Sequence, residues 1–249
     1  ALAIADHGFE VELVEQSERL GGNLTWLQQT LEGYPIDTLL EEAQAAVEKH
    51  HNVCVHTRTR VISSVGQVGR FHTTIESQEE PVQVVAHGVT ILATGGMEAN
   101  TTSYEYGSSP SVITQKELEQ KLAKATLDPG QLNSVVMIQC VDSREEPRNY
   151  CSRVCCATAL KHALRLKEKN SALPVYVLHR DMMTYGFAET YYTRARKANV
   201  IFIQYRVDQK PSVQIVKDGL EVTVLDPIIG RQLQIEADLA VLATGIVPT

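Results

Sequence analysis

Residues 134–178 read SVVMIQCVDSREEPRNYCSRVCCATALKHALRLKEKNSALPVYVL, and this stretch decides the predicted fold. The apolar run 135–138 predicts a buried strand, residues 157–169 predict a helix, and 175–178 predict a second strand. That order is typical of a dinucleotide-binding unit, whose first turn normally carries glycines. Here the turn carries cysteines instead, namely Cys140, Cys151, Cys155 and Cys156. We therefore predict a metal cluster where a dinucleotide pyrophosphate would otherwise bind.

Composition and charge restrict the classes of function. The chain has 249 residues, 43% hydrophobic and 21% charged, which is ordinary globular composition. Its net charge of −7 argues against nucleic acid as the main partner, because phosphate binding requires clustered Lys and Arg. No apolar run approaches the roughly 20 residues that span a bilayer. Five cysteines, four of them clustered, fit thiolate ligands in a reducing compartment, so we expect a cytoplasmic protein.

The N-terminal residues resemble the second part of another dinucleotide-binding unit. Residues 1–6 predict the end of a helix that Gly8 stops, and 11–14 predict a strand that ends at Glu15. An acid at this position usually accepts hydrogen bonds from a ribose diol, and a solvated strand end is the alternative. Because the chain starts with Ala1, we expect the glycine-rich turn of this unit to lie upstream in a longer protein.

A pair of glycines follows this acidic strand end. Gly21 and Gly22 would let the backbone approach a flavin pyrophosphate or ring, because glycine has no side chain to hold a ligand away. Arg19 and Asn23 flank the pair and complete the predicted cofactor-binding segment.

An apolar strand followed by Ala-Thr-Gly occurs twice in the sequence. Residues 89–93 are predicted to form a buried strand that leads into Thr94, Gly95 and Gly96, and residues 239–243 lead into Thr244 and Gly245. We expect each sharp turn to lie beside a bound dinucleotide. Each copy follows strand-like runs, predicted at 61–77 and 82–86, and again at 213–217, 220–225 and 232–235.

This internal repeat predicts an α/β fold of two nested Rossmann-like halves, each with a β-meander. We predict a FAD-binding domain at residues 1–127 and a second Rossmann-like domain, which carries the cysteines, at residues 128–249.

Shorter signals complete the assignment. Further helices are predicted at 37–50, with Asp37 as N-cap, and at 117–124 and 189–197. Strands are predicted at 52–56 and 200–204, and Cys54 is predicted to be a core residue of the first of these.

The two Ala-Thr-Gly strands and Glu15 with its following glycines resemble the flavoprotein disulfide reductase superfamily, of which thioredoxin reductase is a simple member. Residues 140–156, CVDSREEPRNYCSRVCC, and the loop 180–186, RDMMTYG, are more narrowly similar to the A subunit of heterodisulfide reductase and its relatives. These relatives include subunits of the quinone-interacting membrane-bound oxidoreductase complex of sulfate reducers. The C-x-x-C-x-x-C modules of ferredoxin type are absent from this sequence.

The resemblance implies FAD, [4Fe-4S] clusters and electron transfer among the subunits of a redox complex, with heterodisulfide reductase-like, hydrogenase or dehydrogenase subunits as partners. Some members of the family bifurcate electrons at the flavin. The resemblance also allows a homodimer.

A [4Fe-4S] cluster needs four thiolates, and the resemblance assigns them to the four clustered cysteines. On a helix, Cys151 and Cys155 would share one face. We expect Arg144, Arg148 and Arg153 to offset the negative charge of the cluster, with a helix N-terminus near Ser152 adding partial positive charge. Structural zinc, a redox-active disulfide and inert buried cysteines stay open as alternatives.

We therefore predict an oxidoreductase that passes electrons between FAD and an iron–sulfur cluster for partner subunits. The first alternative is an NADPH-dependent thiol–disulfide reductase, which would need a glycine-rich turn after Ile138. The second is a zinc-stapled interaction module without redox activity.

Overall fold

The structure, a computed structural model, describes residues 1–77 and 81–249. The chain forms two compact units, one of Ala1–Thr25 with Pro35–Gly95 and one of Trp26–Tyr34 with Gly96–Thr249. Helices combine with parallel and antiparallel sheets, so the predicted α/β class is confirmed. Within the described ranges, every helix is too short or too polar to cross a membrane.

The first unit contains a two-stranded parallel sheet and a three-stranded antiparallel meander. Its elements are α1 (Leu2–Ala5), β1 (Val11–Val14), α2 (Ile36–Lys49), β2 (Val53–His56), β3 (Thr59–Gln67), β4 (Arg70–Ser77) and β5 (Gln83–His87). β1 pairs with β2 in parallel, and β4 lies between β3 and β5. Gly8 follows α1 with φ 85°, the left-handed conformation expected of a glycine that ends a helix.

Residues 89–93 do not form the predicted buried strand. They lie outside any strand, and Val89, Ile91 and Leu92 are 68%, 65% and 85% exposed. An apolar run becomes a strand only where a neighbouring strand takes up its backbone hydrogen bonds. In the described part of the first unit, neither the β1–β2 sheet nor the meander pairs with this run, so its hydrophobicity alone was misleading.

The start of α2 also differs from the prediction. Pro35, in an extended conformation with ψ 135°, occupies the N-cap position that was predicted for Asp37. Asp37 lies in the first turn, where its carboxylate accepts a hydrogen bond from the Thr38 N–H at 2.8 Å. A carboxylate is favourable there as well, because the first turn carries the positive end of the helix dipole.

Cys54 is exposed, and the prediction that it is a core residue is wrong. Successive side chains of a strand point to opposite faces. In β2 this alternation turns Val53 and Val55 to one face and places Cys54 on the other, with His56.

The second unit is built on a five-stranded parallel sheet of order β10-β9-β8-β14-β7. Its elements are β6 (Gly96–Glu98), β7 (Val112–Thr114), α3 (Gln115–Ala123), β8 (Val135–Ile138), α4 (Cys155–Lys169), β9 (Val175–His179), α5 (Glu189–Lys197), β10 (Val200–Gln204), β11 (Ser212–Val216), β12 (Gly219–Asp226), β13 (Arg231–Ala237), β14 (Leu239–Leu242) and β15 (Ile246–Pro248). β11, β12 and β13 form an antiparallel meander, and β15 pairs with β6.

Both faces of this parallel sheet are covered. Val136 and Ile138 of β8 pack with the meander residues Leu220 and Val222 in one hydrophobic cluster. Val135 and Met137 of the same strand pack in a second cluster, with residues of α3, α4 and α5. A strand that is covered on both faces needs apolar residues at every position. This explains why residues 135–138 are all apolar, which is the pattern from which β8 was predicted.

The observed division lies between Gly95 and Gly96, whereas the predicted domain boundary lies between residues 127 and 128. The difference arises because β7 pairs with β14, and α3 packs on the same parallel sheet. The roles of the two units, FAD-binding and cysteine-bearing, stay predictions.

A buried network of charged side chains connects residues 26–34 with the rest of the second unit. The Glu119 carboxylate, which is 0% exposed, accepts hydrogen bonds from the Gln28 N–H at 3.0 Å and from the His162 ring at 2.6 Å. Lys161 lies 3.1 Å from the same carboxylate and donates to the Gln29 carbonyl at 3.0 Å. Burial alone would raise the pKa of Glu119, but the hydrogen bond with His162 and the charge of Lys161 outweigh it and hold that pKa at about 2.

We expect Glu119→Gln to lower the free energy of unfolding at pH 7 by about 3 kcal/mol, because it leaves the buried Lys161 without its counter-charge. Since the folded-state pKa of about 2 lies below the ordinary value of 4.5, the stabilisation is present above pH 4.5 and is lost as the pH falls toward 2. Urea unfolding at several pH values measures this difference. The exposed Glu168→Gln in α4 is the control and should change stability little; equal effects of the two substitutions would contradict the assigned role of Glu119.

Candidate metal centre

The cysteines lie where three neighbouring parallel strands end. Cys140 follows β8, the Ala243-Thr244-Gly245 turn follows β14, and Arg180-Asp181 follow β9. In the sheet, β9 lies on one side of β8 and is reached through α4, while β14 lies on the other side of β8, so the strand order reverses at β8. Ligands of open α/β sheets bind at such a reversal of strand order, beyond the carboxyl ends of the strands.

The structure brings together the four predicted ligands, Cys140, Cys151, Cys155 and Cys156. All four are free thiols, and each interacts electrostatically with the other three. Among the described residues, no three of these sulfurs lie within 4.8 Å of one another. A single tetrahedral zinc ion would hold its sulfurs about 3.8 Å apart. A four-iron cube separates its thiolates more widely, because each binds a different iron, so the arrangement suits the larger group better.

Each sulfur has an N–H donor beside it. The Arg144 guanidinium lies 3.9 Å from Cys140 Sγ, and the backbone N–H of Arg153 lies 3.4 Å from Cys151 Sγ. Backbone N–H groups of Gly245 and Met183 donate to the sulfurs of Cys155 and Cys156, respectively. Such donors stabilise thiolates, so the donor set fits a group held by four thiolates.

Burial raises the pKa of three of these thiols, those of Cys140, Cys155 and Cys156. It raises the pKa of Cys155 to about 12, with further increases from the neighbouring Cys156, and raises the pKa of Cys156 to about 11. Burial also raises the pKa of Cys140, although the Arg144 guanidinium partly opposes this. Attacking thiols of disulfide exchange have lowered pKa values instead, so the site does not resemble a dithiol reductase centre.

The predicted arginines take different places. Arg144 pairs with Asp181 at 2.7 Å while it faces Cys140, and Arg148 donates to the Thr244 carbonyl at 2.8 Å. Arg153 contributes its backbone N–H. Arg180, which was not predicted, donates to the Arg144 carbonyl at 3.1 Å, and its charge opposes part of the increase that burial causes in the pKa of Cys140.

The cysteine loop departs from the predicted helix. α4 begins at Cys155, so Cys151 lies before the helix and does not share a helical face with Cys155. The N-cap is Val154, which provides no side-chain hydrogen bond, whereas the helix N-terminus was predicted near Ser152. The Val154 side chain accepts no hydrogen bond from the first-turn N–H groups of α4, which lie beside Cys155 and Cys156, so these groups can bond to another acceptor.

The loop between β8 and α4 uses left-handed backbone at residues that are not glycine. Cys140, Asp142, Arg144 and Arg153 have φ values of 59°, 47°, 63° and 62°. Thr101 and Ser103 donate to the Asp142 carboxylate at 2.6 and 2.8 Å. These bonds offset part of the backbone strain and hold the start of the loop.

The predicted flavin residues of the first unit lie beyond the end of β1. Glu15 is half-buried, and its carboxylate accepts a hydrogen bond from the Ser17 N–H at 2.7 Å. Arg19 is largely exposed, with Glu18 3.7 Å from its guanidinium. A carboxylate at the carboxyl end of a parallel strand has the position that a ribose hydroxyl requires.

Gly21 and Gly22 have φ values of 125° and 50°, which favour glycine. A Cβ at Gly21 would lie 2.8 Å from Leu40 of α2, so packing explains that glycine. A Cβ at Gly22 would meet nothing within 4 Å, and Asn23 is exposed beside it. Gly22 and Asn23 are thus accessible to a ligand.

The boundary between the two units falls within the first Ala-Thr-Gly-Gly, residues 93–96. Thr94 and Gly95 are exposed in the first unit, and Gly95 has φ 69°. Gly96 begins β6 in the second unit, where a Cβ would lie 2.6 Å from Ile246 Cγ2 and 2.8 Å from the Val247 carbonyl oxygen. Close strand pairing therefore explains Gly96.

The second Ala-Thr-Gly lies within the cysteine site. Gly245 has φ 83°, its N–H faces Cys155, and a Cβ there would lie 3.0 Å from Ser152 Oγ. Within the described residues, the buried Thr244 Oγ1 lacks a hydrogen-bond partner, and so does the amide of Gln139. Unpaired buried polar groups are expected where a ligand completes a site. The predicted role of these residues beside a flavin stays a prediction.

Sequence reasoning missed Gly245 and Met183 as neighbours of the sulfurs. Met183 lies in the loop 180–186, which supported the prediction only as part of the resemblance; Tyr185 of the same loop is 65% exposed. A backbone N–H carries no signal in its residue type, so only the position of the loop after β9 could have pointed to Met183.

We predict that Gly245→Ala lowers stability by more than Gly230→Ala does. Both positions have positive φ, but a Cβ at Gly230 meets nothing within 4 Å, so that variant carries only the backbone cost of about 1–2 kcal/mol. At Gly245 the added contact with Ser152 displaces the N–H that faces Cys155. Denaturant unfolding of the two variants measures the difference, and equal losses would show that the turn tolerates a side chain.

Comparison with solved structures identifies the fold. The fold is similar to that of thioredoxin reductase from T. acidophilum, with a TM-score of 0.59 and 16% sequence identity. The match covers 100% of this chain and 73% of that one. Thioredoxin reductase from Lactococcus lactis gives TM-score 0.60, 17% identity and the same coverage. The thioredoxin-reductase-like Rossmann fold predicted from the sequence is thus confirmed.

Comparison with curated proteins gives relatives of one kind, whereas no family model matches the chain. The chain is 27% identical to the iron-sulfur A subunit of the CoB–CoM heterodisulfide reductase of Methanocaldococcus jannaschii, over 100% of this chain and 52% of that protein. It is 30% identical to the A subunit of the ferredoxin:CoB-CoM heterodisulfide reductase of Methanosarcina acetivorans, over 70% of this chain and 26% of that protein. The chain therefore spans about half, or less, of the length of these relatives. These similarities confirm the predicted resemblance to the heterodisulfide reductase A subunits, and the chain has the thioredoxin-reductase-like fold.

Proposed function

We propose that this chain is part of an oxidoreductase subunit that passes electrons between FAD and a [4Fe-4S] cluster for partner subunits. The observation that carries the proposal is the meeting of four cysteine thiols, each with its own N–H donor, at the carboxyl ends of β8, β9 and β14. The names of the relatives, which are iron–sulfur subunits of heterodisulfide reductases, support the same conclusion.

Cys140, Cys151, Cys155 and Cys156 would hold the cluster, and Glu15, Gly22 and Asn23 would hold FAD. When bound, FAD exchanges electrons in pairs and the cluster exchanges them singly. The N–H groups of Arg153, Met183 and Gly245 stabilise the sulfurs when negative charge accumulates there. Arg144 and Arg180 act in the same direction, because their charges lie beside Cys140. Both effects favour the reduced form and raise the reduction potential.

The partners follow from the same proposal. Relatives are named as subunits of heterodisulfide reductases that use ferredoxin, H2 or formate. We infer that this protein works with comparable redox subunits, which would supply or remove the electrons. Its free thiols suit a reducing compartment, and we place the protein in the cytoplasm on that ground.

The thioredoxin-reductase-like fold makes an NADPH-dependent thiol–disulfide reductase the second candidate. Two observations disfavour it. The turn after β8 contains no glycine, although Cys140 and Asp142 adopt the left-handed conformation. The buried thiols also have raised pKa values, whereas an attacking thiol requires the opposite.

We predict that alanine at any one of the four cysteines removes or degrades the cluster, because each thiolate binds one iron. The measurement is iron and sulfide content, with EPR of the reduced, anaerobically reconstituted full-length protein. Cys54→Ala is the matched control, since Cys54 lies in β2 of the other unit, and it should keep the full signal. A full EPR signal from this cluster in all three of the Cys140, Cys151 and Cys155 variants would contradict the proposal. If the Cys156 variant alone keeps it, the fourth ligand lies elsewhere.

We also predict that NADPH does not bind to the second unit. The turn 139–143 has no glycine, so its side chains would crowd the backbone that a pyrophosphate must approach. Isothermal titration calorimetry of the protein with NADPH tests this, with Asp142→Ala as the comparison. Micromolar binding that Asp142→Ala abolishes would favour the reductase alternative.

A further inference from the structure

The first unit has a second group of metal-ligating side chains, far in sequence from the clustered cysteines. β1 and β2 pair in parallel with Glu12 opposite Cys54 and Val14 opposite His56. Partners in a parallel pair face the same side, and residues two apart on a strand share a face. Glu12, Cys54 and His56 therefore project from one face of the two-stranded sheet.

The donor atoms of these three side chains are close together. The Glu12 carboxylate, the Cys54 sulfur and a His56 ring nitrogen all lie within 4.8 Å of one another. His56 Nε2 is 2.6 Å from Glu12 Oε2. The His56 side chain is 12% exposed, so its ring is held in place, whereas Glu12 is 40% exposed and can adjust.

The chemistry of the donors selects a metal. A thiolate, an imidazole and a carboxylate are the ligand types that Zn²⁺ accepts, with bonds of about 2.0–2.3 Å. Tetrahedral coordination at these lengths places neighbouring donors roughly 3.3–3.8 Å apart. Small side-chain rotations from the present spacing reach that range. Calcium and magnesium prefer oxygen donors, so the sulfur and nitrogen disfavour them.

We propose that Glu12, Cys54 and His56 form a zinc site that joins β1 to β2. Three protein ligands leave the fourth position open to water. Binding replaces the hydrogen bond between His56 and Glu12, and it releases the proton of the Cys54 thiol to solvent. Its ligands belong to the first unit and the four clustered cysteines to the second, so the proposal stands whether or not those cysteines hold iron.

The alternative is an ordinary surface ion pair between Glu12 and His56 with a cysteine beside it. Zinc binding distinguishes the two interpretations. If the three side chains form a metal site, zinc binds here and its affinity depends on both the Cys54 sulfur and the His56 imidazole. If Glu12 and His56 form only a surface ion pair, their contact requires neither zinc nor Cys54.

The test uses full-length protein with its iron–sulfur cluster reconstituted, so that the other cysteines are occupied. The protein is dialysed against a buffered zinc solution, and zinc and iron are measured in the same sample. We expect one zinc per chain in the native protein. Cys54→Ser and His56→Gln should each weaken zinc binding by at least tenfold, since loss of even an outer-shell partner typically costs 10–100-fold. Iron content should not change.

Two surface substitutions in the same unit serve as matched controls. Glu48→Gln and His51→Gln alter an exposed acid and an exposed histidine outside this face, and they should keep the zinc. Zinc should raise the thermal midpoint of native protein and controls but not that of Cys54→Ser. Equal zinc binding in the Cys54 and His56 variants, or no zinc in native protein, overturns the proposal. Loss of iron in all samples would instead count against the four-cysteine centre alone.

Discussion

The double burial of β8 is the constraint on which the second unit depends. Its four residues, Val135–Ile138, are each 0% exposed, because the β11–β13 meander covers one face and helices cover the other. A strand in this position cannot shift by one residue without exchanging its two faces. Its carboxyl end, and hence Cys140, is fixed to the same degree. The cysteine loop can therefore be irregular, because the strand before it and the helix after it are rigid.

The site depends on backbone as much as on side chains. Three of the four N–H groups that donate to the sulfurs belong to the backbone, and two of them, on Gly245 and Met183, lie on turns that follow β14 and β9. Since these turns are positioned by the parallel sheet, the donors are in place before any ligand binds. The fixed donors and the neighbouring guanidinium of Arg144 give the site a positive local environment, which suits a group that carries negative charge.

Much of the second unit could be predicted from sequence, because its strands are buried on both sides and form continuous apolar runs. β8, α5 and β10 have the predicted bounds, and β9 is one residue longer. The same logic failed at residues 89–93, since hydrophobicity indicates that burial is favourable and not that a pairing strand is present. It failed at Cys54 because a four-residue strand offers too little alternation to tell its faces apart. The start of α4 at Cys155 could not be predicted, because the loop before it lacks a capping side chain.

The docking of residues 26–34 has a consequence for the order in which the chain folds. The segment lies early in this sequence, but its anchors on Glu119 and Lys161 lie 91 and 132 residues further along the chain. On the ribosome, these anchors do not exist until α3 and α4 have been made. The residues of the first unit on either side of the segment, up to Gly95, are all made before α3 and α4. Docking of residues 26–34 must therefore wait for synthesis of α3 and α4, as is usual for contacts of long sequence separation.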